Sequence, residues 1–362
     1  MKLRVVDLSR VLAGPFCSMM LADLGADVIK VERLGAGDET RGWGPPFDAS
    51  GQSAYFLSTN RNKKSIAADF ATIADRQVIL DLIAKADVVL ENFLPGALKK
   101  LGIDCDKLLD KNPNLIWCTI TGFGPESARP GYDFVIQAES GWMSITGEPG
   151  GPPMKVGVAL ADVIAGKDAA IAILAAIADR DAGTLDRSRR HIFISLEHSA
   201  VAALVNVAQN VLVSGKDAAR WGNAHPNLVP YQLFDAADRP FAIAVGSDVQ
   251  WLQCTRALGL DDLATDLTLR TNAGRVVHRD HVVNAIAARV KEKNAQYWID
   301  QLNAVSVPCG LVRSVKEALD VIGADAVTGV PPSAPGSVRM PPPRLDEHGD
   351  AIRSLGWRAF RP

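Results

Sequence analysis

Short runs of β-branched and other apolar residues alternate with helical patterns through the first half of the chain. The runs are "LRVVDL", "DVIKVER", "SIAADF", "DVVLENF", "LIWCTITGFG" and "HIFISL". Helical segments such as "GPFCSMMLADLGA" and "QVILDLIAKA" separate them. Strands that alternate with helices usually form a parallel sheet that is covered on both faces. The pattern therefore predicts an α/β fold with a large doubly wound, Rossmann-like domain.

The pattern changes after "GNAHPNLVPYQLF", where the run "PFAIAVG" is followed by charged helical segments such as "VVHRDHVVNAIAARVKEK". This change of pattern predicts a smaller α+β domain with its connectors over residues 216–324. The later stretch "GVPPSAPGSVRMPPPRLDEH" cannot be a regular central strand, because proline has no backbone N–H. We therefore predict an extended return, in which residues 325–362 complete a large domain that otherwise spans residues 1–215.

Asp162 is the first acid in a long apolar, alanine-rich run, "MKVGVALADVIAGKDAAIAILAAIADR". The run predicts a helix from Val163, and an aspartate just before it would accept hydrogen bonds from the free N–H groups of the first turn. The positive end of the helix dipole would also keep the carboxylate ionised and ready to act as a nucleophile. This segment alone leaves both roles open, a helix cap and a nucleophile.

The composition argues against several classes of protein. Among 362 residues, Lys and Arg number 39 against 41 Asp and Glu, so a general nucleic-acid-binding surface is not indicated. The five cysteines and six histidines are dispersed, which favours reduced thiols in a cytoplasmic protein and predicts no metal site. No charge-free run reaches membrane-spanning length. The turn "DLSRVLAGPFCS" lacks the glycines of a dinucleotide site, and no P-loop motif occurs.

Segments along almost the whole chain resemble the class III CoA-transferases, which include formyl-CoA and carnitine CoA-transferases and are related to the α-methylacyl-CoA racemases. The resemblance rests on "RVVDLSRVLAGPF", "LADLGADVIKVERLGAGDETRGWGPP", "YFLSTNRNKKSIAADF", "ADVVLENFLPGALKKLGID", "NPNLIWCTITGFG", "RPGYDFVIQAESGWMSITG", "VGVALADVIAG", "GNAHPNLVPYQLF", "VPCGLV" and "LDEHGDAI". It implies an interlocked homodimer and transfer of CoA from an acyl-CoA to a carboxylate. It further implies that coenzyme A is a substrate, with no tightly bound cofactor.

The resemblance gives Asp162 the role of nucleophile, which would form an aspartyl anhydride and then an aspartyl-CoA thioester. It places the backbone of Leu12 and Ala13 near the thioester. It also assigns coenzyme A contacts to Arg33, Asn92 and Lys100, with Lys99 as a neighbouring alternative. Three further cations in "NRNKKS", namely Arg61, Lys63 and Lys64, form a basic cluster that suits phosphates.

The glycine-rich segment "TGEPGGPP" is our candidate source of N–H donors for the tetrahedral intermediates, through Gly147, Gly150 and Gly151; an ordinary loop is the alternative.

Two departures from the family narrow the expected chemistry. Formyl-CoA transferases have glutamine at the Leu12 position, so a small polar acyl group is not expected here.

Racemases have a histidine base where this chain has Tyr132, and tyrosine is a poor base at neutral pH. Tyr132 is therefore expected to bind or pack near the acyl group, and Asp133 to orient nearby backbone or cap the following helix. An acyl-CoA racemase or isomerase and a non-catalytic CoA-binding protein remain the alternative functions.

Overall fold

The computed structural model describes residues 3–361, and six of its strands form one parallel sheet. These strands are β1 (Arg4–Asp7), β2 (Asp27–Arg33), β3 (Lys63–Ala68), β4 (Val88–Glu91), β5 (Ile116–Thr121) and β6 (His191–Ser195). They lie in the order β3-β2-β1-β4-β5-β6. Val5 of β1 pairs with Val28 of β2 on one side and with Val88 of β4 on the other. The predicted doubly wound α/β fold is confirmed.

The helices vary widely in length, from single turns to the 22 residues of α8. They are α1 (Ala13–Asp23), α2 (Ala54–Leu57), α3 (Ile73–Ile83), α4 (Ala97–Lys100), α5 (Cys105–Lys111), α6 (Asp133–Glu139), α7 (Trp142–Ile145), α8 (Leu160–Asp181), α9 (Leu196–Ala202), α10 (Val205–Ser214), α11 (Asp248–Ala257), α12 (Asp261–Thr265), α13 (Asn272–Val277), α14 (Arg279–Val290), α15 (Ala295–Ala304), α16 (Val315–Ile322) and α17 (Gly349–Leu355). Short 3₁₀ turns occupy Glu39–Gly42, Arg187–Arg190, Leu267–Leu269 and Gly356–Phe360.

Each face of the parallel sheet is covered by its own apolar cluster. Leu21 of α1 and Ile173 of α8 belong to the cluster on one face. Ile79 of α3 and Ile352 of α17 belong to the cluster on the other. Coverage on both faces explains why the central strands read as continuous apolar runs rather than as alternating ones.

Helices α1 and α8 approach each other very closely. A Cβ atom added to Gly166 of α8 would lie 2.6 Å from the backbone oxygen of Ala13 in α1. The small residues of the α8 sequence therefore have a packing role, because a side chain at Gly166 would push the start of α1 away.

The chain divides into two compact units. One comprises Met1–Met143, Lys155–Lys216 and Ile322–Pro362, and the other comprises Ser144–Met154 and Asp217–Val321. The glycine-rich segment at residues 147–151 thus belongs to the second unit rather than to the sheet domain.

The second unit contains an antiparallel sheet of three strands. They are β7 (Tyr231–Asp235), β8 (Pro240–Ala244) and β9 (Cys309–Leu311), in that order across the sheet. Phe241 of β8 packs in an apolar cluster with Trp251 of α11 and Trp298 of α15. This unit combines helices with a small antiparallel sheet, which is the α+β composition predicted from the sequence.

The proline-rich stretch near the C-terminus runs beside elements of the parallel-sheet unit. The backbone N–H of Asn62 donates to the oxygen of Met340, and the N–H of His348 donates to the oxygen of Ser65. The Asn62 side chain also accepts from the backbone N–H groups of Arg339 and Met340. Residues 339–348 are therefore attached to the edge of the sheet at β3.

All five cysteines are free thiols. Within residues 3–361, no single helix is long and apolar enough to cross a membrane. The bent pair of α9 and α10 reaches that threshold when the two helices are taken together, by length and composition only.

Candidate active site

Asp162 lies in the first turn of α8, as the third residue of the helix. The helix begins at Leu160, and Ala159 at the cap position makes no side-chain hydrogen bond to the first turn. The prediction that Asp162 caps a helix starting at Val163 is therefore wrong, because the backbone is already helical three residues earlier. The Asp162 carboxylate has no hydrogen bond within the part of the chain that the structure describes.

Asp133 supplies an acceptor at the start of α8 from a neighbouring helix. Its Oδ1 accepts a 2.8 Å hydrogen bond from the N–H of Ala161. Its Oδ2 accepts from Nε2 of Gln137 at 2.7 Å. The same glutamine accepts from the N–H of Val156 and donates to the oxygen of Val158. Helix α6 therefore fixes the backbone that leads into Asp162.

Burial raises the pKa of Asp162 to about 7, and the negative charge of Asp133 contributes to the rise. We expected the helix amides to keep this group fully ionised. Desolvation and the second carboxylate oppose that effect and bring the pKa of Asp162 near neutrality. A carboxyl group with a pKa near neutrality is typical of functional sites, since surface aspartates titrate far lower.

Tyr55 is a site residue that the sequence analysis missed. Burial raises its pKa to about 12, with smaller contributions from the charges of Asp162, Asp133 and Asp38, so the phenol lies within electrostatic reach of these carboxylates. Its ring packs edge to face against Trp43, with the ring centroids 5.1 Å apart. Tyr55 stays neutral at physiological pH and can donate a hydrogen bond. Its only signal in the sequence was a pair of aromatic residues in a largely polar stretch.

The carboxyl edge of the parallel sheet carries three cavities. In a doubly wound sheet, ligands bind where the strand order reverses, which here lies between β1 and β4. A cavity of about 250 Å³ lies there, and Ala13, Asn92 and Tyr132 are among its lining residues. A neighbouring cavity of about 240 Å³ includes Arg33, and another of about 280 Å³ includes Lys99.

Two of the predicted contacts of coenzyme A, Asn92 and Lys99, already have partners within the protein. Asn92 lines the cavity, but its amide binds the backbone of Arg10 through both of its polar atoms. Lys99 is largely exposed and forms an ion pair with Asp104 at 3.4 Å. Leu12 is half-buried beside the cavity, and Lys100 is exposed at the end of α4.

The cluster in "NRNKKS" does not form a phosphate site in this structure. Arg61 is buried and pairs with Asp23 at 2.7 Å, and it also donates to the oxygens of Thr328 and Val330. Lys64 donates to the oxygen of Ala359 at 2.6 Å. Both side chains therefore hold parts of the protein together.

Lys63 is fully buried, and its ammonium group has three acceptors, Asp7 Oδ2, the oxygen of Pro15 and Asn60 Oδ1. Burial lowers its pKa to about 8, against the opposing effect of Asp7. Three acceptors use all three ammonium protons. The structure thus removes Lys63 from the candidate phosphate ligands.

The three candidate glycines belong to the second unit. Gly147 and Gly150 have φ angles of 113° and 73°, which other residues rarely adopt. Arg220 holds this loop by donating to the oxygens of Ser144 and Gly151. The role of Gly147, Gly150 and Gly151 in binding an oxyanion stays a prediction.

No group of three or more histidine, cysteine, aspartate or glutamate side chains within residues 3–361 is arranged to hold a metal ion.

The family model for CoA-transferase family III matches residues 2–348. The chain belongs to CoA-transferase family III.

Solved and curated members of family III cover nearly the same length. The succinate–glutarate CoA-transferase of Agrobacterium fabrum is 42% identical over 323 residues, which cover 87% of this chain and 80% of that protein. The acetyl-CoA:oxalate CoA-transferase of Acetobacter aceti is 35% identical and covers 97% of this chain and 94% of that protein. The crystal structure of a CAIB/BAIF family protein from Brucella suis superposes with a TM-score of 0.83 at 41% identity, covering 97% of both chains.

Proposed function

We propose that this family III enzyme transfers CoA from a donor acyl-CoA to an acceptor carboxylate through covalent intermediates on Asp162. The observation that carries the proposal is an aspartate in the first turn of α8 with a pKa near 7 and a second carboxylate beside it. Its ionised fraction at neutral pH is a more basic nucleophile than an ordinary carboxylate.

The reaction proceeds through two anhydrides and an aspartyl-CoA thioester on Asp162. The Asp162 carboxylate attacks the donor thioester carbonyl, the carbon–sulfur bond breaks, and the products are an acyl-aspartyl anhydride and CoA thiolate. The thiolate then attacks the aspartyl carbonyl, which releases the donor carboxylate and leaves an aspartyl-CoA thioester. The acceptor carboxylate opens that thioester to a new anhydride, and the thiolate attacks its acyl carbon to restore Asp162.

The substrates that we propose are short dicarboxylates and their CoA thioesters. Relatives at 42% identity carry names that specify succinate, succinyl-CoA and glutarate. The cavity between β1 and β4 is lined in part by Arg10 and Arg129, whose guanidinium groups pair with Glu39 and Glu139 in the unliganded protein and would have to exchange these partners for a substrate carboxylate. Guanidinium groups suit carboxylates and phosphates alike.

A panel assay tests the proposed function. Purified protein is mixed with succinyl-CoA and each of several acceptors, including glutarate, oxalate, acetate and water alone, and the thioesters are separated by chromatography. We expect a new thioester with glutarate and little product with oxalate or acetate. Deuterium uptake at the α-carbon of a 2-methylacyl-CoA without acceptor would instead support the racemase. Tight CoA binding with neither reaction would support the non-catalytic alternative.

The pH dependence of transfer should follow the Asp162 carboxyl group. Because the ionised form is the nucleophile, kcat/KM should fall as pH decreases below about 7 and level off above it. The Asp133→Asn substitution removes the neighbouring charge, so the midpoint should move to lower pH. Asp168→Asn is the matched control, since Asp168 lies on the same helix and binds Ser199. An unchanged midpoint in Asp133→Asn would contradict this account.

We also propose that two chains form the interlocked dimer suggested by the sequence. Helix α10 has no buried residue, and Val205, Leu212 and Val213 are 70%, 77% and 78% exposed. An apolar helix without cover within its own chain marks an interaction surface. A second copy of this chain is the occupant that we propose.

An interlocked dimer cannot separate while both chains remain folded, so dissociation and unfolding in urea should coincide. We expect Leu212→Asp to lower the common midpoint clearly. Ile73→Asp should leave it nearly unchanged, because Ile73 is equally exposed but begins α3, where an acid is favourable. Light scattering and circular dichroism measure the two transitions. A folded monomer on dilution would contradict the proposal.

A further inference from the structure

Val11 has a backbone conformation that its side chain disfavours. It lies between β1 and α1, with φ at 71° in the left-handed region. For a β-branched residue this is an outlier that strains the backbone. It persists only where surrounding groups hold the backbone in place. Val11 lines the cavity at the point where the strand order reverses.

Asn92 follows β4 and lines the same cavity, and its side chain holds Arg10, the residue before Val11. Its Oδ1 accepts from the N–H of Arg10 at 2.9 Å, and its Nδ2 donates to the oxygen of Arg10 at 2.8 Å. The side chain thus imitates a neighbouring strand and satisfies both backbone groups of one residue. An amide used in this way has little capacity left for a ligand.

A buried ion pair holds the same loop from the side of β2. Lys30 and Asp38 are 2.9 Å apart, with side chains that are 1% and 0% exposed. Lys30 donates to the oxygen of Ser9 at 2.9 Å. Both oxygens of Asp38 lie 3.3 Å from the N–H of Val11. The ion pair therefore contacts the backbone on both sides of Arg10.

Helix α1 begins directly after this loop and packs against it. A Cβ atom on Gly14 would lie only 2.3 Å from the side chain of Ser9. The position of Ala13, which lines the cavity, consequently depends on the conformation of residues 9–11.

We propose that Asn92 and the Lys30–Asp38 pair are positioning residues that hold Val11 in the left-handed conformation. Acyl-CoA then meets a fixed backbone at Leu12 and Ala13, and Asn92 does not bind it directly. This inference rests on the proposed function for the identity of the ligand, but the holding of the loop is a property of the protein alone.

Substitution of Val11 by glycine separates a positioning role from direct contact. Glycine adopts positive φ without steric cost, so the loop no longer needs to be held. In Asn92→Ala we expect the Kd for CoA to rise about tenfold, because the strain at Val11 then favours other conformations of the loop. In the double variant with Val11→Gly, the Kd should return to within about threefold of Val11→Gly alone. Calorimetric titration with CoA measures both.

The matched control is the double variant of Asn92→Ala with Val11→Ala. Alanine removes the branched side chain but remains strained at positive φ, so it should rescue far less than glycine. If Asn92 contacted CoA directly, neither change at Val11 would restore binding. An unchanged Kd in Asn92→Ala, or an equal rescue by alanine and glycine, overturns the proposal.

Hydrogen exchange of the unliganded protein provides a readout that does not depend on CoA. The amides of Ser9 to Ala13 should exchange faster in Asn92→Ala and regain protection when Val11→Gly is added. If the wild-type protein binds no CoA and transfers none, the proposed function fails while this measurement still decides the positioning role. Unaltered protection of the loop in Asn92→Ala would overturn that role by itself.

Discussion

The Asp162→Asn protein should fold and bind CoA but lose transfer by several orders of magnitude. A neutral amide cannot attack the thioester to form an anhydride, so the covalent route is closed while the cavities at the sheet edge are unchanged. Initial rates with succinyl-CoA and glutarate measure the loss. The mass of the peptide that contains position 162 must exclude deamidation back to aspartate.

Hydroxylamine added during turnover should convert Asp162 of the wild-type protein to its hydroxamate, because it attacks the anhydride and the thioester. The label should require acyl-CoA and be absent from Asp162→Asn. Asp168→Asn is again the control and should keep both activity and labelling. Full transfer by Asp162→Asn with the substitution verified would return Asp162 to a purely structural role.

The same substitution should stabilise the fold above neutral pH. The pKa of Asp162 is about 7 in the folded protein against an ordinary value of 3.8. Between these values the folded protein binds more protons than the unfolded chain, so its stability falls as pH rises from about 4 to about 7 and then stays level. The raised pKa corresponds to a loss of at most about 4 kcal/mol in the free energy of unfolding, and partial exposure of Asp162 to solvent reduces this loss. We expect Asp162→Asn to gain about 2 kcal/mol at pH 8.

Urea denaturation at about pH 5 and about pH 8, at equal protein concentration, checks the gain in unfolding free energy. The difference between the variant and the wild type should grow with pH over that range. A difference that is independent of pH would show that the ionised carboxylate is not destabilised in the folded state. The expected result is a conflict between stability and function at the nucleophile, which is common at active sites.

The sequence predicted the fold well because its strands are buried on both faces and their apolar runs are short and regular. It predicted a strand at "SIAADF", whereas β3 begins earlier, at Lys63. The backbone of Lys63 pairs with Val28 in β2, and its side chain forms an ion pair with Asp7, which lies on a strand separated from β3 by β2. A lysine that looks like a surface charge in the sequence is thus buried by a contact over 56 positions.

The sequence singled out Asp162, whose catalytic role stays a prediction, but not the environment of its carboxylate. Asp162 was singled out by its small-residue context and by the family resemblance, while Asp133 reaches the start of α8 across 28 positions. Tyr55 lies still further away along the chain. Such contacts depend on helix packing, and no local pattern encodes them. The left-handed conformation of Val11 was equally hidden, since valine is the residue least expected there.

The contact between Gly166 and Ala13 limits which parts of the site can move. Asp162 lies one helical turn before Gly166, and at that contact the backbones of α8 and α1 touch with no side chain between them. Asp162 and the start of α1 at Ala13 are therefore held together in one rigid frame. In the proposed reaction the CoA sulfur alternately leaves and attacks substrate carbonyl carbons and the Asp162 carbonyl carbon. Because this frame is fixed, we expect the movement between the steps to occur in the flexible arm of the coenzyme rather than in the protein.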